Sequence, residues 1–426
     1  MKILHVADFL PVLHKRAGGA EFATQRIIDE QVADGIEVEV ASLAPDIADV
    51  RPPWRHYTLR NLDRWAPRLA YAVKQLYFPQ DGLAARDMAR ILEISRPDVV
   101  HFHNLHFSGL GVVPQARRQG IPSVWSIYDY WIFCPAFMLL THTEDLCTRG
   151  HGAHCVDCIG ARRLRFLRPV KQALFAARPH TFAEPVQAVD RFVTLSNASG
   201  ELLQRHGVAA GRIAVIPQHI WKEAAAKPRA QAMQRGRLVY VGWVEHRKGL
   251  HVIIEAMGLL ASQYPELELD VFGQPAHAGY ETELRQRIKA LDLEGRVHWR
   301  GKIGRSGLID ALHQAMLVTI PEQWENMSPV ILTEAMAAGA CVLASRIGGI
   351  RHFVEEGRSG LLAERDSAQE FARQIDWAMQ HFEAVGEMAA AASARAQELF
   401  NTLHINRLTR ELYDSLSPST HGPLHE

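Results

Sequence analysis

No apolar run in the chain is long enough to cross a bilayer as a helix, and the opening MKILHVADFL meets Asp8 too early for a secretory leader. Neither charge is in excess. Lys plus Arg and Asp plus Glu both number 47, which disfavours a nucleic-acid partner held by bulk positive charge. Five cysteines in 426 residues are too few for a secreted disulfide framework. No Asp-x-Asp motif is present to hold a catalytic divalent metal, so the chemistry read below is expected to require no cofactor. What remains is an ordinary globular composition, 47% hydrophobic and 22% charged, on a chain long enough for two cores. The chain is expected in the cytoplasm, with peripheral contact at the inner face of a membrane as a further expectation.

Strand–helix alternation fills both halves. In the first, KILHV reads as a buried strand, a loop carries Gly18 and Gly19, a helix runs to Gly35, and residues 38–43 form the next strand, the pattern of a parallel sheet. The paired glycines let backbone approach a ligand at the carboxyl end of the first strand, although such a pair also reads as a plain turn. PDVVHF leads to His103 and Asn104, and the strand over 121–127 leads to Tyr128, Asp129 and Tyr130. These are polar groups at strand ends, as a sugar site needs. Residues 51–90 read as a pair of surface-packed helices. The second half restarts with RLVYVG, ending at Gly242, and continues through the loop WVEHRKG, with Arg247 and Lys248. LELDVFGQ, with Gly273, RVHWRGKI, with Lys302 and Ile303, and LVTIPEQ follow as further strands.

The rest is organised around PEQWENMSPVILTEAMAAGACVLAS, residues 321–345. Ser328 is a good N-cap, Pro329 suits the first helical position and Gly339 suits the exit. Free N–H groups of that first turn favour a phosphate or carboxylate just ahead of Ser328. Arg247 and Lys248, at a strand end, are placed to grip the same pyrophosphate. Glu334 lies inside the helix beside Leu332, Ala335 and Met336. A salt bridge is its plainer reading and a ligand contact the functional one.

WENMSPVILTEAMAAGACVLASRIGGIRHFVEEGRSGLL resembles the donor-binding segment of glycosyltransferase family 4, retaining nucleotide-sugar transferases of the GT-B fold. The resemblance implies an α/β architecture of two Rossmann-like, doubly wound domains facing across a cleft. Residues 1–222 would be the acceptor side, 236–395 the donor side, and 396–416 a helix crossing back. It implies that Glu334 grips the ribose and that a glutamate separated from it by seven residues contacts the donor sugar. Glu325 is separated by eight, and Asn326 stands at the strict spacing. By the same resemblance Gly242, Gly273, Met327, Ser328 and Pro329 border the donor, the backbone of Lys302 and Ile303 meets the base, and the Gly18–Gly19 loop lies between donor phosphate and acceptor. Lys248, helped by Arg247, neutralises the leaving diphosphate. The family's His-Asp pair becomes Tyr128-Asp129 here, and its Arg becomes Trp243. Glu325, Asp129, Tyr128 and Lys248 are therefore the catalytic candidates, with His103, Asn104 and Tyr130 on the acceptor side. The implied activity is sugar transfer, with retention, from a nucleotide-diphosphate donor to an acceptor. A saccharide or lipid-linked acceptor in bacterial surface-polysaccharide synthesis is a further expectation, motivated by a basic segment over 161–180 and a cysteine-containing one over 134–158. Its rivals are a nucleotide-sugar epimerase and a non-catalytic GT-B scaffold that binds donor or carrier lipid.

Two further features stand apart. An insertion over about 134–158 collects Cys134, Cys147, Cys155 and Cys158 with three histidines. Four thiols including a C-x-x-C pair fit a tetrahedral structural zinc, and four reduced thiols in a loop is the competing reading. Between 161 and 180, Arg162, Arg163, Arg165, Arg168, Lys171 and Arg178 interleave with Leu and Phe, with no acid. That segment reads either as a docking face for a membrane or lipid-linked phosphate, or as a solvated helix face.

Overall fold

The computed structural model describes residues 1–64, 67–159, 165–220, 233–276 and 278–416. Its contacts divide the chain into two units, residues 1–219 with the chain from 403 onward, and residues 220–402. Most of the expected linker, the residues 160–164 of the basic segment and the tail from 417 lie outside the described residues. No helix among the described residues is long and apolar enough to cross a membrane.

The first unit holds seven parallel strands: β1 (Lys2–Val6), β2 (Glu37–Ser42), β3 (Arg55–Thr58), β4 (Val99–Phe102), β5 (Ser123–Ser126), β6 (Arg191–Thr194) and β7 (Ile213–Val215). Their order is β3-β2-β1-β4-β5-β6-β7. The buried runs that read as strands are strands. The exception is β3, which lies in the segment that reads as two helices. Its four residues RHYT are exposed or half-buried at the sheet edge and so carry no buried alternation. Two helices do follow, Pro67–Leu76 and Gly82–Ser95. The helix Thr402–Asp414 packs Ile405, Leu412 and Tyr413 onto Ile3, Val99 and Val124 of this sheet.

The second unit has β8 (Arg237–Val241), β9 (Glu268–Phe272), β10 (Val297–Gly301), β11 (Leu317–Ile320), β12 (Val342–Ser345) and β13 (Leu361–Ala363), ordered β10-β9-β8-β11-β12-β13. All are parallel and nearly all are buried, because helices cover both faces. In each sheet the strand order reverses once, between β1 and β4 and between β8 and β11. The loops leaving those strands diverge there and open a crevice, so these two places are where ligands enter such sheets.

The basic segment is corrected by burial. Arg178, read as part of a docking face, is fully buried on the helix Arg168–Ala188. It donates to the carbonyl oxygens of Leu76 (3.0 Å) and Trp131 (2.6 Å) and stacks on Phe182.

Candidate functional site

At the reversal in the first sheet, His5 of β1 and His101 of β4 are register partners, and His103 follows on the same side. Burial leaves their ring nitrogens dependent on one another. His5 Nε2 lies 2.8 Å from Gln31 Oε1, and His5 Nδ1 lies 2.9 Å from His103 Nε2. His103 Nδ1 faces the Tyr128 hydroxyl at 3.3 Å. His101 Nε2 meets Ser126 Oγ at 2.8 Å, and Gln31 Nε2 donates to Tyr413 Oη at 3.0 Å. The Ser126 hydroxyl also bonds Tyr128, closing a ring of seven side chains.

With the Gln31 amide so oriented, the ring has one direction. His5 Nε2–H donates to Gln31 and its Nδ1 accepts from His103 Nε2–H, whose Nδ1 in turn accepts from Tyr128. All three histidines are then neutral Nε2–H tautomers. Burial agrees, pushing His5 down to about 4 and His101 and His103 well below the ordinary range. The three are the one group of metal-ligating side chains among the described residues whose ligand atoms converge within 4.8 Å. All six ring nitrogens already have partners, so the cluster is a hydrogen-bonded scaffold.

Tyr128 and Asp129 stand at the rim of this scaffold. Burial pushes the Tyr128 phenol up to about 12, so it stays protonated. A recess of about 230 Å³ is lined by His103, Asn104, His106, Tyr128 and Asp129. A second, of about 410 Å³, shares Ser126 and Tyr128 and extends to Gln218 and His219. Asn104 donates to Glu21 Oε1 (3.2 Å), while Glu21 Oε2 accepts from the Gly18 N–H (2.8 Å) and caps the helix that Gly19 begins. The glycine loop is thus tied to the acceptor-side residues expected beside it. Tyr130 is fully buried and lines neither recess. Its backbone N–H bonds the Phe137 carbonyl and turns the loop. His103 reaches the recess, but both its ring nitrogens are committed.

In the cysteine insertion the Cys155 thiol lies within electrostatic reach of Cys134 and Cys158, and Cys158 of Cys147, although among the described residues their sulfurs do not converge within 4.8 Å. Cys134 and Cys155 are buried, Cys147 and Cys158 are partly exposed, and all are free thiols. The C-x-x-C pair brackets a single helical turn, Cys155–Cys158.

In the second unit Gly242, Arg247 and Lys248 lie on the loop leaving β8 and Asn326 to Pro329 on the loop leaving β11, whereas Gly273 follows β9 and Lys302 and Ile303 follow β10. Lys248 Nζ lies 2.5 Å from Glu322 Oε1. Glu322 is buried and also accepts from Trp324 Nε1 (2.6 Å) and Asn326 Nδ2 (3.0 Å). Gln323 N–H donates to the Arg247 carbonyl (2.8 Å), and Arg247 pairs with Glu245 and lies over Trp324. Glu322 is a hub that residue spacing did not reveal, since only Glu325 and Asn326 lie near the motif's position. Asn326 is committed to Glu322 and, through Oδ1, to the Ser328 N–H (3.2 Å). Glu325 is partly exposed, and its carboxylate is not engaged by any described residue.

The helix start needs correction. The helix is Val330–Ala337, and Pro329 occupies the N-cap with ψ 125°, so Ser328 does not cap it and Pro329 is not its first residue. The Asn326–Ser328 bond bends the chain ahead of it, and the extended ψ of Pro329 delays the first helical turn. Glu334 is buried at 7% exposure, and burial raises its carboxyl above the usual range although Arg305 opposes the shift. Arg305 Nη2 lies 3.1 Å from Glu334 Oε1, a second partner missed from sequence because it opens an unremarkable polar helix. Lys302 and Ile303 sit in the loop just before that helix. Gly273 has a packing reason: a Cβ on it would lie 1.8 Å from the Gly242 carbonyl oxygen, whereas one on Gly242 would meet only the Tyr240 hydroxyl, at 3.8 Å.

Residues 17–220 match the model of Glycosyltransferase Family 4, and residues 222–398 that of Glycosyl transferases group 1. Among curated relatives, a D-inositol 3-phosphate glycosyltransferase of Streptomyces scabiei is 27% identical over 238 residues, 52% of this chain and 53% of that one. A glycogen synthase of Mycobacterium tuberculosis is 28% identical over 234 residues, 54% of this chain and 55% of that one. The chain thus spans about half the length of the curated relatives it matches. Among solved structures, Anabaena HepE in complex with UDP aligns with TM-score 0.69 at 18% identity, over 98% of this chain and 100% of that one. Sucrose-phosphate synthase of Thermosynechococcus elongatus aligns with TM-score 0.70 at 19% identity, over 97% and 98%. Two parallel sheets wound in this order, and two family models that together take in residues 17–220 and 222–398, identify the chain as a member of glycosyltransferase family 4 with the GT-B fold.

Proposed function

We propose that the protein transfers a sugar from a nucleotide-diphosphate donor to a saccharide or lipid-linked acceptor with retention, in bacterial surface-polysaccharide synthesis at the inner face of the membrane. The observation that carries the donor half is the convergence of Lys248, Arg247 and the 326–329 backbone on the loops that leave β8 and β11, with Glu334 one helical turn further on. The two cations there, with the positive end of the helix Val330–Ala337, stabilise a departing diphosphate by preorganised charge. Arg305 holds Glu334 for the ribose hydroxyls, and Glu325, unengaged, takes the sugar. HepE, of the same fold, was crystallised with UDP and with UDP-glucose, which supports a nucleotide-sugar donor. The lipid-linked part rests on Phe166 and Val170, exposed within the basic segment of the first unit.

Calorimetric titration with UDP-, GDP-, ADP- and dTDP-sugars, on the wild type and on Glu334→Ala and Lys248→Ala, tests this reading. One nucleotide class should bind saturably and lose affinity in both variants. Wild-type protein that binds none of them would defeat it. A donor-binding scaffold is the second reading, favoured by Trp243, which is 53% exposed where the family carries an Arg. Turnover of the bound donor only when an acceptor is supplied would exclude both the scaffold and an epimerase.

A further inference from the structure

The helix Arg168–Ala188 buries Arg178 completely, and no carboxylate meets it. Its guanidinium donates to the carbonyl oxygens of Leu76 and Trp131, faces His151 Nδ1 at 2.7 Å and stacks on Phe182. Among the described residues, the acidic groups within its electrostatic reach are the thiols of Cys134 and Cys155. A buried cation needs a counter-charge, and a neutral thiol supplies none.

The same thiols are wrapped as an anion would be. The backbone N–H groups of Ala136, Met138 and Leu139 face the Cys134 sulfur. Phe137 and Leu139 adopt left-handed backbones there, φ 65° and 51°, which cost a bulky residue strain and turn successive N–H groups inward as a nest does. The Gly152 N–H faces Cys155, and that of His142 faces Cys158. Cys147 is folded back beside this turn, because Leu140 and Leu146 bridge antiparallel and the Cys147 N–H donates to the Leu139 carbonyl at 2.7 Å. Cys155 and Cys158, three apart on one helical turn, share a face. Two of the neighbouring histidines are engaged elsewhere, His154 Nε2 with the Gly150 carbonyl at 2.9 Å and His151 Nδ1 with Arg178.

We propose that Cys134, Cys147, Cys155 and Cys158 hold one zinc ion as a structural tetrathiolate, and that Arg178 is buried to meet its negative charge. The site lies wholly within the first unit and stands independently of the donor and acceptor chemistry. Each sulfur binds as a thiolate, so four thiols release their protons and the cluster carries two net negative charges. Arg178 offsets one, and the N–H groups around the sulfurs spread the other. Soft sulfur donors in a tetrahedral set select zinc, and four protein ligands leave no open position for water, which makes the ion structural. No three of the four sulfurs lie within 4.8 Å of one another. Tetrahedral sulfurs about 2.3 Å from zinc stand about 3.8 Å apart, so binding draws them together. The exposed turn over 142–145, between the bridged Leu140 and Leu146, is the part free to follow.

What the ion steadies is the loop after β5. The Cys134 N–H donates to the Tyr130 carbonyl at 2.7 Å, the Tyr130 N–H to the Phe137 carbonyl at 3.0 Å, and Arg178 holds the Trp131 carbonyl. Tyr128 and Asp129 stand immediately ahead of that turn.

Metal analysis of the purified full chain should find about one zinc per chain, and X-ray absorption should place four sulfurs about 2.3 Å from it. Cobalt exchanged for the zinc should give thiolate charge-transfer and tetrahedral d–d bands. Cys147 and Cys158, partly exposed, should resist alkylation until a chelator is added. Arg178→Met keeps the bulk and drops the charge, and should bind zinc about 10- to 100-fold more weakly in chelator competition, as loss of an outer partner of a metal site does. Zinc-replete wild type that holds no metal and alkylates at once would overturn the site, leaving four reduced thiols. Nitrogen or oxygen among the four ligands, or unchanged zinc content in Cys147→Ser and Cys158→Ser, would overturn it equally. Unaltered zinc affinity in Arg178→Met would remove Arg178 as the counter-charge. None of these readouts requires donor, acceptor or turnover.

Discussion

Tyr413 Oη lies 2.6 Å from His101 Nδ1 and so joins residues 312 positions apart. The helix Thr402–Asp414 thereby supplies one member of the hydrogen-bond ring beneath Tyr128, accepting from Gln31 and donating to His101. Tyr413→Phe leaves a buried imidazole nitrogen and a buried amide unpaired while keeping the ring's volume. Each orphan costs about 1–3 kcal/mol. The expected outcome is a lower midpoint of urea denaturation for the first unit, with donor affinity in the second unchanged. An unaltered midpoint would show that the ring contributes nothing to stability.

Acid should destabilise the same region. His5, His101 and His103 are held neutral by burial, His5 down to about 4 and the others well below the ordinary value, while in the unfolded chain each titrates near 6.5. Above pH 6.5 both states leave them neutral and their contribution is whole. As pH falls below that, the unfolded state binds protons that the folded state refuses. Stability then declines toward pH 4 by up to about 1.4 kcal/mol per pH unit for each histidine. Denaturant midpoints at pH 7.5, 6 and 5 measure this. A flat profile between 7 and 5 would contradict the neutral assignment.

The sheets, Lys248 and Glu334 are legible in the sequence because buried parallel strands write continuous apolar runs and the helix after β11 carries a dense local pattern. The ring is not. His5, His101 and Gln31 read as ordinary buried positions, and only strand register, with a helix that returns after some 300 residues, brings Tyr413 to them. His106 and Arg305 escape for a related reason, since each pairs with a residue distant in sequence, Asp129 and Glu334. The helix start at Pro329 is misread by one residue because Ser-Pro is a good cap signal wherever the preceding chain is free, and here Asn326 constrains it.

Lys248 and Glu322 form a pair whose two halves should separate in experiment. Lys248→Ala removes the cation proposed to meet the diphosphate, and on that proposal the donor Kd should rise about tenfold or more, as loss of one charge-assisted hydrogen bond implies. Glu322→Gln keeps the cation but turns one amide N–H toward a donor, either Lys248 and Asn326 or Trp324, all of which need an acceptor there. That variant should lose stability by about 1–3 kcal/mol and loosen the whole 322–328 loop, so donor affinity falls although Glu322 itself touches no ligand. Thermal melting together with calorimetry separates the two. A Glu322→Gln protein with wild-type melting and affinity would remove Glu322 from the role of hub.

Gly249 joins the two ligand loops, and its replacement should be far more costly than that of another left-handed glycine. Gly35 and Gly249 have similar backbones, φ 75° and 71°, but a Cβ on Gly35 would meet nothing within 4 Å, whereas one on Gly249 would lie 1.8 Å from the Pro321 carbonyl oxygen. Gly35→Ala therefore carries only the left-handed penalty, about 1–2 kcal/mol. Gly249→Ala carries the same penalty and must also push the loop after β8 away from the loop after β11, breaking the Gln323 to Arg247 backbone bond that aligns Lys248 with Glu322. Urea denaturation should show a modest loss for the first and a larger one for the second, and only the second should abolish donor binding. Equal losses with donor affinity retained in both would mean that the two loops are held together by contacts other than this close backbone approach.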